Sequence, residues 1–285
     1  MSSIAVIVDS DASLPADVAA RYGIRQVPIS VHFGNQTFKT GVDIDDAALF
    51  ARVDREGQLP TTSAPSPGDF TQAYQEALDA GAETILCIAV SSEVSGTYGA
   101  AVNAVDFFPG RDIVVLDSRT LSMCQGFVAM AAVEAVRDGA SKEEVIARAR
   151  AVGERAHIFG ALSTLRYLAM SGRVGHVTAG VANLLSVKPI LTVREGKLDL
   201  LERVRTQKKA WSRVIELTRS VLNEQPAERM AILHVGDPET AHRFETLVRA
   251  ELPCPPDVLF AEVTPGLSVH TGAGLIGVVV VAGEA

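Results

Sequence analysis

The sequence predicts an α/β protein: a parallel, doubly wound sheet domain followed by a smaller α+β domain with a mixed or antiparallel sheet. Three observations carry this expectation. Short apolar runs alternate with helical segments through the first half of the chain. Those runs are apolar throughout, as parallel strands covered on both faces must be. Beyond about residue 156 two strand-like runs are joined by only four residues, too few for a parallel crossover. The expected division is 1–156 and 157–285, with a ligand between and within the two parts.

In order along the chain, Ile4 to Val8 reads as a strand ending in Asp9-Ser10, followed by a helix opened by Pro15 and running to Tyr22, then a strand over Ile24 to Val31. Ser66-Pro67-Gly68-Asp69 supplies a capping hydroxyl, a first-turn proline and a carboxylate at the third helical position for a helix to Ala80. Ile85 to Val90 leads into a helix over Ser95 to Phe107, and Ile113 to Leu116 leads into one over Met123 to Val136. Ser141-Lys142-Glu143-Glu144 opens a further helix to Ala156. Pro189 to Val193 and Leu198 to Val204 then form a hairpin across Arg194-Glu195-Gly196-Lys197. Helices at about Gln207 to Asn223 and Pro238 to Glu251, with strands Met230 to Val235, Val258 to Val263 and Ile276 to Ala282, complete the second layer. Pro253-Cys254-Pro255-Pro256 is a stiff connector.

Composition narrows the function. The chain has 285 residues, 47% hydrophobic and 21% charged, which excludes disorder and rod-like repeats. A net charge of -8 opposes binding to nucleic acid. Cys87, Cys124 and Cys254 have no CxxC spacing, so neither a disulfide framework nor a zinc site is expected. Asp9 and Asp11 stand where a signal peptide needs apolar residues, and the longest apolar run, Leu275 to Ala282, is too short to span a membrane. A cytoplasmic location is expected. Gly272 to Gly277 matches GxGxxG, but a strand follows it where the dinucleotide fingerprint needs a helix, so nucleotide binding is rejected. Walker A, HExxH and GxSxG are absent.

Three segments are candidates for holding an anion. Ser91-Ser92-Glu93-Val94-Ser95-Gly96-Thr97-Tyr98 lies where a strand ends and a helix begins, and first-turn amides carry the positive end of a helix dipole. Gly96 admits a ligand close to the backbone, and Ser95 and Thr97 add hydroxyl donors; helix capping by Ser95 is the competing use. Pro60-Thr61-Thr62-Ser63-Ala64-Pro65-Ser66 is a stiffened hydroxyl-rich loop that could equally be a connector. Val269-His270-Thr271-Gly272-Ala273-Gly274 places an imidazole and a hydroxyl in a glycine-rich turn; His32, His157, His176, His234 and His242 have no comparable setting. Arg173 and Arg205 lie beside glycine or at a strand end, as anion-binding arginines do, with surface ion pairing as the alternative. Asp9-Ser10 and Asp117-Ser118 end two strands on the carboxyl edge where open α/β sheets form their ligand crevice.

Together and in order, these segments resemble the DegV family, bacterial fatty-acid-binding proteins that include the binding subunits of fatty acid kinases. The likeness runs from Ile7-Val8-Asp9-Ser10 through Thr62-Ser63-Ala64-Pro65-Ser66, Ser95-Gly96-Thr97-Tyr98, Asp117-Ser118, Leu165-Arg166-Tyr167-Leu168, Ser171-Gly172-Arg173-Val174 and Lys188-Pro189-Ile190 to His270-Thr271-Gly272-Ala273-Gly274. The resemblance implies a long-chain fatty acid buried in the protein, its carboxylate held by Thr62, Ser95 and His270, with no metal or other cofactor. It implies a separate ATP-dependent kinase that phosphorylates the carboxylate to an acyl phosphate, so that this chain is not itself the enzyme. Gly96 and Thr271, with Arg173 and Arg205, are implied as secondary binding or kinase contacts. Ala64, Ala273, Ser171, Thr40 and Gly99 depart from the family pattern, which has glutamine, proline, glycine, aspartate and glutamine there; none is an implied anion donor.

The physics of such a ligand is consistent with this composition. About fifteen methylenes at about 0.8 kcal/mol each gain on the order of 12 kcal/mol on leaving water, before association costs. The tail thus supplies affinity, and the head, which must exchange water for protein donors, fixes orientation. Two other readings use the same residues. One is an acyl hydrolase with Ser95 as nucleophile, His270 as base and Asp117 or Asp9 orienting it. The other is a small-anion or sugar-phosphate binder, which requires a small polar cavity.

Overall fold

In the computed structural model, which describes residues 3–171 and 187–284, the first half is built on four parallel strands. These are β1 (Ile4–Asp9), β2 (Arg25–Val27), β6 (Thr84–Ala89) and β7 (Asp112–Asp117), in the order β2-β1-β6-β7. β6 is buried along its whole length, which accounts for its unbroken apolar run. Helices α3 (Pro67–Asp79) and α4 (Thr97–Val105) cover one face of this sheet, while α1 (Ala16–Tyr22) and α5 (Met123–Arg137) cover the other. The strand order reverses between β1 and β6, so their carboxyl ends open a crevice. Both expected capping boxes form, Ser66 with Asp69 on α3 and Ser141 with Glu144 on α6 (Lys142–Arg155).

The second sheet is mixed, with the order β10-β9-β8-β13-β11-β12. Its strands are β8 (Ala156–Ala161), β9 (Lys188–Arg194), β10 (Lys197–Val204), β11 (Ala227–His234), β12 (Val258–Glu262) and β13 (Ile276–Ala282). Only β11 and β12 pair in parallel. Side chains alternate between its faces: Phe159, Val278 and Val280 pack under α8 (Gln207–Leu222) and α9 (Pro238–Glu251), whereas Ile158, Val279 and Val281 face α5. Helix α5 is therefore wedged between the two sheets, packed against β1 and β6 of the first, with Val6, Val8, Leu86 and Ile88, and against β8 and β13 of the second, with Ile158, Val279 and Val281. Its alanine-rich sequence suits so enclosed a position.

Four features differ from the expectations. The run Ile24 to Val31 is not one strand: Pro28 cannot donate to a ladder, and the chain leaves the parallel sheet there. It resumes as β3 (Ser30–Phe33) in a small antiparallel sheet, β4-β3-β5, with β4 (Gln36–Lys39) across the two-residue turn Gly34-Asn35 and with β5 (Thr61–Ser63). The loop around Thr62 is thus partly a strand. A helix with no counterpart in the sequence reading, α2 (Asp46–Glu56), covers that sheet through Leu49 and Val53. Finally, His270 and Thr271 lie on a helix, α10 (Pro265–Thr271), not in a glycine-rich turn. Leu165 to Leu168 reach into α7 (Arg166–Ser171), and Arg173 lies outside the described residues. Gly277 falls inside β13, as rejection of the nucleotide motif required. Among the described residues, no helix is long and apolar enough to cross a membrane, and no cluster of potential metal ligands occurs.

Candidate functional site

A cavity of about 190 Å³ lies between the carboxyl edge of the parallel sheet and one face of the mixed sheet. Most of its wall is aliphatic: Ile158, Leu162, Leu191, Leu198, Leu233 and Leu275 among others. From Leu198 on β10 to Leu233 on β11 the wall crosses four strand-to-strand steps, about 19 Å at roughly 4.8 Å each. That dimension is on the scale of a long acyl chain.

Polar groups gather on the wall from three directions. Thr62 comes from β5, Ser95 and Gly96 from the segment between β6 and α4, and His270 and Thr271 from the last turn of α10. Thr62 Oγ1 and His270 Nε2 are 3.0 Å apart and hydrogen-bonded. A Cβ built on Gly96 would lie 4.0 Å from the Ala64 methyl, so the two hydroxyl-bearing segments meet at the wall. Helix α4 starts at Thr97 with Gly96 as its cap; Ser95 is not the cap residue, but its Oγ accepts from Thr97 N at 3.3 Å and shares a hydrogen bond of 2.8 Å with Thr97 Oγ1. Of the expected arginines, Arg205 is exposed in the short link between β10 and α8 and does not reach the cavity wall.

The framework behind these groups explains their placement. Asp9, fully buried at the end of β1, accepts from Val90 N at 2.7 Å, Gln125 Nε2 at 3.0 Å and Asp11 N at 3.0 Å, stitching β1, β6 and α5 together at the crevice. Burial raises its carboxyl to about 6. Asp11, on the cavity wall, is also raised well above the ordinary carboxylate range by burial and by Asp9 beside it. Burial thus favours the uncharged form of Asp11, the form that does not repel an anion.

Residues that the sequence reading passed over do much of the positioning. His32, central in β3, bonds Thr37 Oγ1 through Nδ1 at 2.9 Å and Ser63 Oγ through Nε2 at 2.8 Å, fixing the neighbour of Thr62. Ser268 on α10 donates to Asp46 Oδ1 at 2.5 Å, and Asp46 is pushed up to about 7 by burial. Thr264 Oγ1 donates to Ser10 O at 2.9 Å, so α10 is tied at its start to the end of β1. The β9 to β10 turn reaches the Ser95 segment: Ser91 Oγ donates to Gly196 O at 2.7 Å and Arg119 Nη2 to Glu195 O at 2.6 Å. Both Thr264-Pro265 and Asp45 are helix-start signals legible in the sequence.

A hydrolytic triad would need different pairings. His270 Nε2 engages Thr62, not Ser95, while Asp9 is committed as above. Asp117 accepts from Ser92 Oγ at 2.6 Å and Arg119 N at 2.9 Å.

Comparison with known proteins gives the class of molecule that this fold and site define. The chain matches, over residues 3–283, the model of a family described as "Uncharacterised protein, DegV family". It is 34% identical over 279 residues to a DegV domain-containing protein of Streptomyces coelicolor, covering 97% of this chain and 98% of that one. A DegV domain-containing protein of Deinococcus radiodurans is also 34% identical, over 282 residues, covering 97% of each. Among solved structures, a fatty-acid-binding DegV family protein from Thermus thermophilus superposes with a TM-score of 0.90 at 31% identity, covering 98% of this chain and 99% of that one. A stearic acid-binding protein from Eubacterium ventriosum superposes with a TM-score of 0.87 at 26% identity, covering 99% and 98%. The chain belongs to the DegV family, whose members of known structure include fatty-acid-binding proteins.

Proposed function

We propose that this protein binds one long-chain fatty acid, with the tail in the aliphatic cavity and the carboxylate held between the two halves by Thr62, Ser95 and His270, assisted by Gly96 and Thr271. The observation that carries this reading is the combination, in one cavity, of a wall of leucines and isoleucines with a cluster of hydroxyls and an imidazole. A small-anion or sugar-phosphate ligand would leave that aliphatic wall without a partner. The hydrogen-bond pairings of His270, Asp9 and Asp117 favour a carrier over a hydrolase.

The carrier acts in the cytoplasm and presents its ligand to a separate ATP-dependent kinase. A carboxylate oxygen attacks the γ-phosphorus of ATP, the new O–P bond forms as the bond to the β-phosphate oxygen breaks, and the products are acyl phosphate and ADP. Arg205, exposed at the surface, and Arg173 are the residues proposed to face that partner. No metal and no cofactor of its own enters this role.

Displacement of a fluorescent fatty acid by palmitate tests the binding reading. Tight displacement by the wild type, weakened in Thr62→Val, Ser95→Ala and His270→Ala, is expected. Binding unchanged in all three variants would remove the proposed head site. Ester turnover lost in Ser95→Ala would instead establish the hydrolase.

A further inference from the structure

We infer that Gly160 sets how much acyl chain the cavity accepts, its missing side chain being the space in which the middle or far part of the tail lies. This rests on the carrier reading above.

Gly160 sits in the interior of β8, paired with Gly277 of β13 on one side and Leu191 of β9 on the other. Glycine weakens a strand interior, so its presence there calls for a local reason. Gly277 has one: a Cβ on it would fall 2.8 Å from Phe159 O and 3.2 Å from Gly160 Cα, so close packing of the two strands requires it. Gly160 has no such reason. Its φ is not in the left-handed region, and among the described residues a Cβ built on it would meet only Leu275 Cδ1, at an ordinary 3.7 Å.

The space in front of Gly160 is the cavity itself. Ile158 and Gly160 share one face of β8 by its two-residue period and line the cavity together with Leu162 just past the strand, while Phe159 and Ala161 point to the opposite core. Among the described residues, the one atom within reach of the added Cβ is aliphatic, and none belongs to Thr62, Ser95 or His270. Gly160 therefore borders an aliphatic part of the cavity wall. A side chain there would occupy volume that methylenes otherwise fill, without disturbing the strand pairing.

The test is displacement of a fluorescent fatty acid by saturated acids of graded length, from about 10 to about 18 carbons, on wild type, Gly160→Ala, Gly160→Val and Gly160→Leu. Valine favours strands, so the melting temperature should hold or rise. In Gly160→Val and Gly160→Leu the longest acids should lose affinity by about tenfold or more while the shortest change little, because overpacking penalises only a chain that reaches the blocked volume. Gly160→Ala should show a smaller shift in the same direction, which keeps the test valid if the leucine variant folds poorly. Folded variants whose length profile parallels that of the wild type, whether unchanged or uniformly weakened, would overturn the role of Gly160 alone. A wild type that binds no acid of any length would overturn the carrier reading and this inference with it.

Discussion

His270, on the last helix, and Thr62, on an edge strand of the small antiparallel sheet, are hydrogen-bonded at 3.0 Å across 208 positions of sequence. The bond joins a strand of the first half to a helix next to the final strand, so the polar end of the cavity exists only when both halves are folded together. In the proposed site, replacing either partner removes a group that would hold the ligand's carboxylate. Thr62→Val, His270→Ala and Ser95→Ala should each weaken long-chain fatty acid binding by about tenfold or more, since a hydrogen bond to a charged group contributes roughly 1.5–3 kcal/mol. Titration calorimetry checks this, and circular dichroism should show the fold intact.

Asp46 anchors α10 through Ser268, and its carboxyl is raised from 3.8 to about 7. Between these values the folded state holds a proton that the unfolded chain has released, so this group's contribution to stability is full below about pH 4 and is lost as pH rises through 7. The slope cannot exceed about 1.4 kcal/mol per pH unit. Asp46→Asn keeps an acceptor for Ser268 Oγ and removes the titration. The stability of wild type minus that of Asp46→Asn, from urea denaturation, should therefore fall as pH rises from 4 to 7 and level off above. Parallel curves would show that Asp46 does not titrate in this window.

Gly196 sits at φ 82° in the β9 to β10 turn, and a Cβ there would lie 2.6 Å from Ser91 Oγ. Ser91 O in turn accepts from Ser95 N at 3.2 Å. Gly196→Ala should cost about 1–3 kcal/mol of stability and also reduce fatty acid affinity, because the displaced turn pulls on the segment that carries Ser95. Ser91→Ala, which loses the bond donated to Gly196 O and the one accepted from Glu93 N at 3.3 Å, should show a milder form of both effects. Paired denaturation and displacement measurements distinguish this from a purely local loss.

Asp9 holds three donors, from Val90 just past β6, from α5 and from its own turn, with no exposure to solvent. Asp9→Ala should destabilise the protein by about 3 kcal/mol or more, leaving Val90 N–H and the Gln125 amide without that acceptor, and Asp9→Asn by less. A shift of under a degree in the melting temperature of Asp9→Ala would contradict this structural role.

The parallel sheet, both capping boxes and the hairpin of the second half were legible because their signals are local: apolar runs bounded by Asp9 and Asp117, the pairs Ser66/Asp69 and Ser141/Glu144, and a short turn at Glu195-Gly196. The strand read through Val31 failed at Pro28, a breaker visible in the sequence but outweighed there by the surrounding apolar residues. Helix α10 was missed although Thr264-Pro265 marks its start, because Gly272 and Gly274 read as a turn; Gly266, inside the helix, is required by Asp11, whose Oδ1 would lie 2.3 Å from a Cβ. The DegV-like motifs pointed to Thr62, Ser95 and His270, but not to what supports them. The bonds of His32 to Ser63 and of Asp46 to Ser268 join distant segments, and no spacing along the chain encodes them. Gly160 left only a faint trace, a glycine inside an apolar run.

The most direct test of the central claim is organic extraction of the purified protein followed by mass spectrometry with quantitation against protein. The account predicts close to one long-chain fatty acid per chain, reduced in the Thr62→Val and His270→Ala variants. An extract free of fatty acid, together with no uptake of palmitate by the same preparation, would contradict it.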